Sequence, residues 1–218
     1  MNASFRPRSR KFVGFTLVEM LTVIAIIGVI ASILIPTISK IRATSQRTHC
    51  ASNLRQIGIG INLYANEHEG VLPGGLNEGQ NGLYKGESSG SLAAFIAPYV
   101  DGTLYKSGVS LKNELFVCPS WEALRVSGVC YAMNMRVPID GGDTWIEPFG
   151  RATGSKKPIR LYQISDPLPN VPAIYEVDRK NIKANGGPIG QSATWDPVHG
   201  NVRNVLYFDG SVRTENVD

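Results

Sequence analysis

The chain has 218 residues, which admits one modest domain with appendages rather than an array of domains. Its formal charge is +4, but Arg6, Arg8, Arg10 and Lys11 fall in the first 14 residues, leaving 18 basic against 18 acidic residues beyond them. The basic balance therefore belongs to a short leader and is excluded as a nucleic-acid footprint.

The run from Phe15 to Ile35 holds 21 residues and one charge, Glu19. As a helix it is about 31 Å long, enough to cross the hydrocarbon core of a bilayer. It is too long for the core of a signal peptide, and no Ala-x-Ala cleavage pattern follows it. Basic residues stay cytoplasmic, so the leader faces in and the C-terminal bulk faces out. A carboxylate inside a spanning helix costs about 2–3 kcal/mol at mid-membrane and less near the interface, which makes Glu19 a functional candidate.

Gly14 followed by Phe15-Thr16-Leu17-Val18-Glu19, behind the basic leader and ahead of an apolar run closed by Pro36, resembles the processing site of type IV prepilins and type II secretion pseudopilins. The resemblance implies cleavage after Gly14 by a prepilin peptidase and N-methylation of Phe15. It also implies a place in an inner-membrane filament assembly. There Glu19 is expected to pair with the new Phe15 amine, within one helix or between neighbouring subunits.

Beyond Pro36 the helix is expected to run on to about Glu69. Cys50, Leu54, Ile57, Ile61 and Tyr64 recur at intervals of 4, 3, 4 and 3, one face of an amphipathic helix lying on a sheet, with Ile59 and Leu63 widening it. Gly58 and Gly60 each cost about 1 kcal/mol relative to Ala, which the close approach of a strand would offset. Gly70 is the C-terminal cap.

Val71–Gly90 then reads as loop, Ser91–Val100 as a short helix ending near Pro98, and Leu115–Pro119 as a short strand with Val129–Met133 as its neighbour. Pro138–Pro158 is a glycine-rich excursion, Val171–Val177 a strand and Asn181–Val198 a loop. Asn204–Phe208 and Ser211–Arg213 read as a hairpin closed by a two-residue Asp209-Gly210 turn, with Val205 and Tyr207 on one face and Leu206 and Phe208 on the other. The three cysteines include no Cys-x-x-Cys pair and so give no support to zinc or thioredoxin-like motifs. Cys118 and Cys130 flank the two neighbouring strands and are expected to form the disulfide, with Cys50 a buried thiol on the helix seam.

His199 precedes Asp209-Gly210 with nine residues between. With Cys50–Gly58 and Phe116–Ser120, this spacing resembles a large subgroup of prepilin-like proteins marked by a terminal His-x9-Asp-Gly signature. The resemblance covers both ends and the middle of the chain, but not the loops at 71–90 and 138–160. It implies the pseudopilin architecture and names no activity.

Catalysis by a His199–Asp209 pair is set against a simpler reading, a structural hydrogen bond at His199 and a turn at Asp209. No Gly-x-Ser-x-Gly elbow or His-Glu-x-x-His helix accompanies them, so the simpler reading is preferred. The type II major pseudopilins hold calcium in a C-terminal acidic loop, where this chain offers Asp178, Asp196 and Asp209. These acids are scattered, so no metal ligand or cofactor is assigned. Trp121, Trp145 and Trp195, with Tyr84, Tyr99 and Tyr162, either form a sugar- or partner-binding surface or anchor loops to a small core.

The expected fold is α+β and pilin-like, one long N-terminal helix on a small antiparallel sheet. Residues 1–14 are leader, 15–35 the transmembrane half of the helix, 36–69 its amphipathic half, and 70–218 an extracytoplasmic α+β domain. The expected function is non-enzymatic, as a subunit of a type II secretion pseudopilus. A type IV pilus subunit and a membrane-tethered polysaccharide-binding protein are the alternatives. The expected partners are the prepilin peptidase, other pilin or pseudopilin subunits, the inner-membrane assembly platform and the lipid bilayer, with no nucleic acid.

Overall fold

The computed structural model describes residues 16–85, 90–100, 102, 109–123, 129–138, 145–164, 170–178 and 196–217. The leader, Gly14, Phe15, Trp195 and most of the expected 181–198 loop lie outside the described residues. The chain divides into two compact units, Met1–Arg42 and Ala43–Asp218.

The helix α1 (Leu17–Glu67) contributes to both units. In the first, Leu17, Leu21, Ile24, Ile27, Ile30 and Ile35 are all exposed, because no polar face interrupts the sequence there. By length and composition, α1 is long and apolar enough to cross a membrane. The hydroxyls of Thr22, Ser32, Thr37 and Ser39 donate to carbonyls of the preceding turn, at Glu19, Val29, Ile33 and Ile35. Their polarity is thereby spent on the helix's own backbone rather than on its surroundings.

In the second unit α1 turns amphipathic and buries Cys50, Asn53, Leu54, Ile57, Gly58, Gly60, Ile61 and Ala65. Ile59 and Leu63 were expected to widen this face, but they are 52% and 41% exposed. The seam is narrow because the packed elements come very close at the glycines. A Cβ on Gly58 would stand 2.8 Å from Leu206 Cδ1, and one on Gly60 would stand 2.8 Å from Val100 Cγ1. Close approach thus offsets the helical cost of both residues, by a strand at Gly58 and by a second helix at Gly60. The helix ends in two left-handed residues, Glu69 (φ 54°) and Gly70 (φ 84°), with the Gly70 N–H donating to the Ala65 carbonyl at 2.7 Å.

The helix lies on a five-stranded antiparallel sheet of β1 (Gly79–Gln80), β4 (Tyr131–Met133), β7 (Pro172–Glu176), β8 (Val202–Tyr207) and β9 (Val212–Asn216), in the order β1-β4-β7-β8-β9. Two short ladders stand apart from it, β2 (Leu83–Tyr84) with β3 (Leu111–Lys112), and β5 (Val137–Pro138) with β6 (Trp145–Ile146). Of these, β2 falls in the expected 71–90 loop and β6 in the expected 138–158 excursion. The helix α2 (Leu92–Val100) carries Pro98 within it.

The expected strand at 115–119 does not form. A 3-10 turn (Glu114–Phe116), capped by the Asn113 side chain on the Leu115 N–H, leads into α3 (Pro119–Ala123). Proline suits the first turn of a helix, where its missing N–H would be unbonded anyway.

The final hairpin forms with a longer turn than expected. Leu206 pairs with Val212, and the Tyr207 N–H donates to the Ser211 carbonyl at 2.9 Å, so three residues, Phe208-Asp209-Gly210, close it. Only Gly210 is left-handed, at φ 81°, while the Asp209 carboxylate accepts the Ser211 N–H at 2.9 Å. Both faces of β8 are buried. Leu206 meets Gly58 on one face, and on the other the Arg213 guanidinium lies 4.3 Å from the Tyr207 ring centre. The Tyr207 hydroxyl donates to Glu215.

Candidate functional site

Each unit offers one candidate. At the start of α1 the Thr16 N–H and hydroxyl both donate to Glu19 Oε2 at 2.8 Å, and the Glu19 N–H donates back to Thr16 Oγ1 at 3.2 Å. The motif Thr-x-x-Glu is a reciprocal capping box, which satisfies backbone donors that no helical carbonyl can reach. Glu19 therefore has a local task that periodicity did not reveal, beside the pairing inferred for it.

The second candidate lies in unit two, where four distant pieces of sequence converge. Cys50, on the buried face of α1, is bonded to Cys118, between the 3-10 turn and α3, with Cα atoms 5.1 Å apart. His199, just before β8, brings Nε2 to 3.7 Å from Cys118 Sγ and 3.1 Å from Glu176 Oε1, while its Nδ1 lies 3.3 Å from Ser120 Oγ. The side chains of His199 and Glu176 are each 2% exposed. Glu176 ends β7, where antiparallel pairing sets it beside β8. Its Oε2 accepts the Asn204 N–H at 2.7 Å and its Oε1 accepts Asn204 Nδ2 at 3.0 Å. Asn204 reaches on to the Arg47 carbonyl at 3.4 Å and accepts from Thr214 at 2.9 Å. Asn53 Nδ2 donates to the Val117 carbonyl at 3.2 Å.

Buried polar groups are costly unless bonded, and here they bond one another across the helix–sheet seam. The cluster fixes helix, turn and sheet in one register. Ser120, His199 and Glu176 stand in the order of a hydroxyl–imidazole–carboxylate relay. However, the disulfide sulfur shares the Nε2 edge and Ser120 is itself buried, so the hydroxyl serves as an anchor for the ring.

The chain is similar to a type IV pilin. It is 43% identical to the Type IV major pilin protein PilA of Myxococcus xanthus (strain DK1622) over 53 residues, 24% of this chain and 23% of that protein. It is 33% identical to a ComG operon protein 3 homolog of Bacillus licheniformis over 60 residues, 28% of this chain and 62% of that protein. The chain thus covers less than two thirds of the length of either relative. No family model and no solved structure matches it. The architecture itself, a long apolar N-terminal helix on a small antiparallel sheet, is a pilin-like arrangement.

The expected disulfide is corrected. Cys118 bonds Cys50, and Cys130 is a buried thiol outside the bridge. The expectation had made residues 115–119 a strand beside Val129–Met133. In the structure β4 is flanked by β1 and β7, and Cys118 sits over the helix instead.

His199 and Asp209 are not brought together, since His199 turns to Glu176 and Asp209 caps its own turn. Burial alone would push the Asp209 carboxyl up, but hydrogen bonding at Ser211, the Arg213 charge and its own backbone N–H together outweigh it and hold the group below its ordinary value. Among the described residues, Asp178, Asp196 and Asp209 form no cluster. Asp178 is held by the Arg203 guanidinium at 3.1 Å. Nor do the aromatics form one surface, because Trp121 and Tyr84 are core residues while Trp145 and Tyr162 are exposed.

Glu176, Ser120 and Asn204 were missed as site residues. A single carboxylate closing the apolar strand Pro172–Glu176 was the available signal, since an unpaired charge does not enter a core.

Proposed function

We propose that this chain is a structural subunit of a pilin-like filament, released from its leader at Gly14–Phe15 by a prepilin peptidase. One observation carries the reading. The first half of α1 exposes apolar side chains on every side, so they need cover from lipid or from like helices. Glu19 in that surface supplies the register signal. A neighbouring subunit's Phe15 amine would meet its carboxylate where screening is weak. N-methylation leaves that amine charged. The finer reading is a type II secretion pseudopilus, anchored in the inner membrane with the second unit outside. The helix-then-sheet layout supports it. A type IV pilus is the second reading, favoured by the similarity to a type IV major pilin.

The first test is mass spectrometry of the mature N-terminus, where N-methyl-Phe15 is expected and an intact Met1 leader would end the reading. The second separates charge from capping at Glu19. Gln also completes a capping box, so Glu19→Gln keeps the helix start and loses only the charge. Leader cleavage and membrane insertion should persist in Glu19→Gln and Glu19→Ala, while sheared filament falls at least tenfold. Glu19→Asp should fall between. Normal filament from Glu19→Gln would leave capping as the sole role, and lost cleavage would move the residue's role to the peptidase. Deleting the gene should abolish extracellular enzyme release for a pseudopilus, or surface filaments for a pilus.

A further inference from the structure

Cys50, Cys118, Glu176 and His199 each offer one ligand atom, and these four atoms lie within 4.8 Å of one another. Two thiolates, an imidazole and a carboxylate form a donor set that zinc accepts. Zinc bonds of about 2.3 Å to sulfur and about 2.0–2.1 Å to nitrogen and oxygen put tetrahedral S and N about 3.6 Å apart, and N and O about 3.3 Å apart. The observed separations are 3.7 Å from Cys118 Sγ to His199 Nε2 and 3.1 Å from His199 Nε2 to Glu176 Oε1. Two edges of the tetrahedron therefore already have suitable lengths.

The outer partners are also in place. Once a metal takes the Nε2 lone pair, the proton sits on Nδ1, where Ser120 Oγ at 3.3 Å can accept it. Asn204 holds both oxygens of Glu176, fixing the carboxylate's direction. A cavity of about 320 Å³, lined by Ala43, Thr44, Arg47, Ser120, His199 and Gly200, lies beside the cluster. The ligands are far apart in sequence, which is why the absence of Cys-x-x-Cys did not bear on them.

We propose that the reduced chain binds one Zn2+ through Cys50 Sγ, Cys118 Sγ, His199 Nε2 and Glu176 Oε1, and that forming the Cys50–Cys118 disulfide expels it. Binding displaces the two thiol protons. The oxidant is a low-molecular-weight disulfide. One protein thiolate attacks it, releasing one small thiolate and leaving a mixed disulfide. The second protein thiolate attacks the protein sulfur of that bond and releases the other small thiolate. Two electrons pass from the protein to the small disulfide, and Zn2+ leaves because no thiolate remains to hold it. Metal and disulfide are thus alternative staples for the same helix–sheet seam.

The test uses the full chain in detergent, with Cys130→Ser so that only two thiols remain. After phosphine reduction without oxygen, titrated Co2+ should give tetrahedral visible bands and sulfur-to-cobalt charge transfer at one equivalent. Zn2+ should bleach both, and the oxidised chain should show neither. His199→Gln and Glu176→Gln should each weaken binding tenfold or more. A small disulfide should release the metal in step with the loss of two thiols. If the reduced chain loses its circular dichroism, recovery on adding Zn2+ supports the site and failure to recover overturns it. A folded reduced chain that takes no cobalt overturns it as well. So does equal binding by His199→Gln, which would mark a plain dithiol chelate, or equal binding by the oxidised chain.

Discussion

Residues 17–42 and 43–67 belong to one continuous helix, yet Leu21, Ile27 and Ile33 in the first stretch are exposed while Leu54, Ile57 and Ile61 in the second are buried. From Leu17 to Ile35 the first stretch is apolar all round but for Glu19, and its large side chains are exposed. The second is apolar on one seam, and this seam meets a sheet. Helical propensity is common to both, so what differs is where the apolar surface finds cover. In the first stretch it is left for lipid or another subunit. In the second it is used up within the fold and then locked by a disulfide and a buried polar cluster.

The largest effect expected within the second unit follows from opening the Cys50–Cys118 bridge. It joins residues 68 apart, worth about 4 kcal/mol in the chain-entropy account. Cys50→Ser and Cys118→Ser should each lower stability by about that amount, with the double variant no worse than either single one. Cys130→Ser, outside the bridge, should cost far less. Denaturant melts of all four variants check this, and a large additional loss in the double variant would break the pairing.

A matched pair of truncations sharpens the comparison between the helix halves. Leu54→Ala should cost about 2–5 kcal/mol, since it opens a cavity against the sheet. Ile27→Ala deletes a similar side chain from the same helix but should leave the second unit's melting unchanged. Equal losses at both sites would mean that the first stretch is part of the folded core.

A smaller effect is expected at the hairpin. Gly210→Val should cost about 1–3 kcal/mol, because a β-branched residue resists φ 81°. The nearest atom to an added Cβ is Asn62 Nδ2 at 3.6 Å, an ordinary separation, so the cost lies in the backbone. Gly210→Asn should recover much of it, and a wild-type melting temperature for Gly210→Val would remove the strain.

The smallest effect is in alkali. Burial, then the nearby charges of Glu215 and Tyr207, pushes the Tyr175 hydroxyl up to about 12 from an ordinary 10.0. The folded chain holds that proton more tightly than the unfolded one, so the contribution is whole below pH 10 and is lost as pH rises toward about 12. Melting temperatures across that window should fall less steeply for Tyr175→Phe.

The helix Leu17–Glu67 was largely legible in the sequence because helices announce themselves locally. The apolar run, the 4-3-4-3 seam and the left-handed end are all consequences of near-neighbour spacing. Strand β7 and the closing hairpin were legible for the same reason. The 3-10 turn at Glu114–Phe116 was not, since an apolar run of that length suits strand and turn alike until a proline-led helix claims its end. Two-residue ladders such as β2–β3 and β5–β6 carry no period to read.

Sequence by itself determined that this chain has a spanning-length helix, a lone carboxylate near its start, an amphipathic continuation and a final hairpin. Tertiary structure alone decided which cysteines meet, that His199 faces Glu176 rather than Asp209, and that Leu206 and Val100 press close on the helix at Gly58 and Gly60. The physical reason is separation along the chain. Cys50, Cys118, Glu176 and His199 share no local spacing, so only the packing of α1 across β7 and β8 brings their four ligand atoms within 4.8 Å.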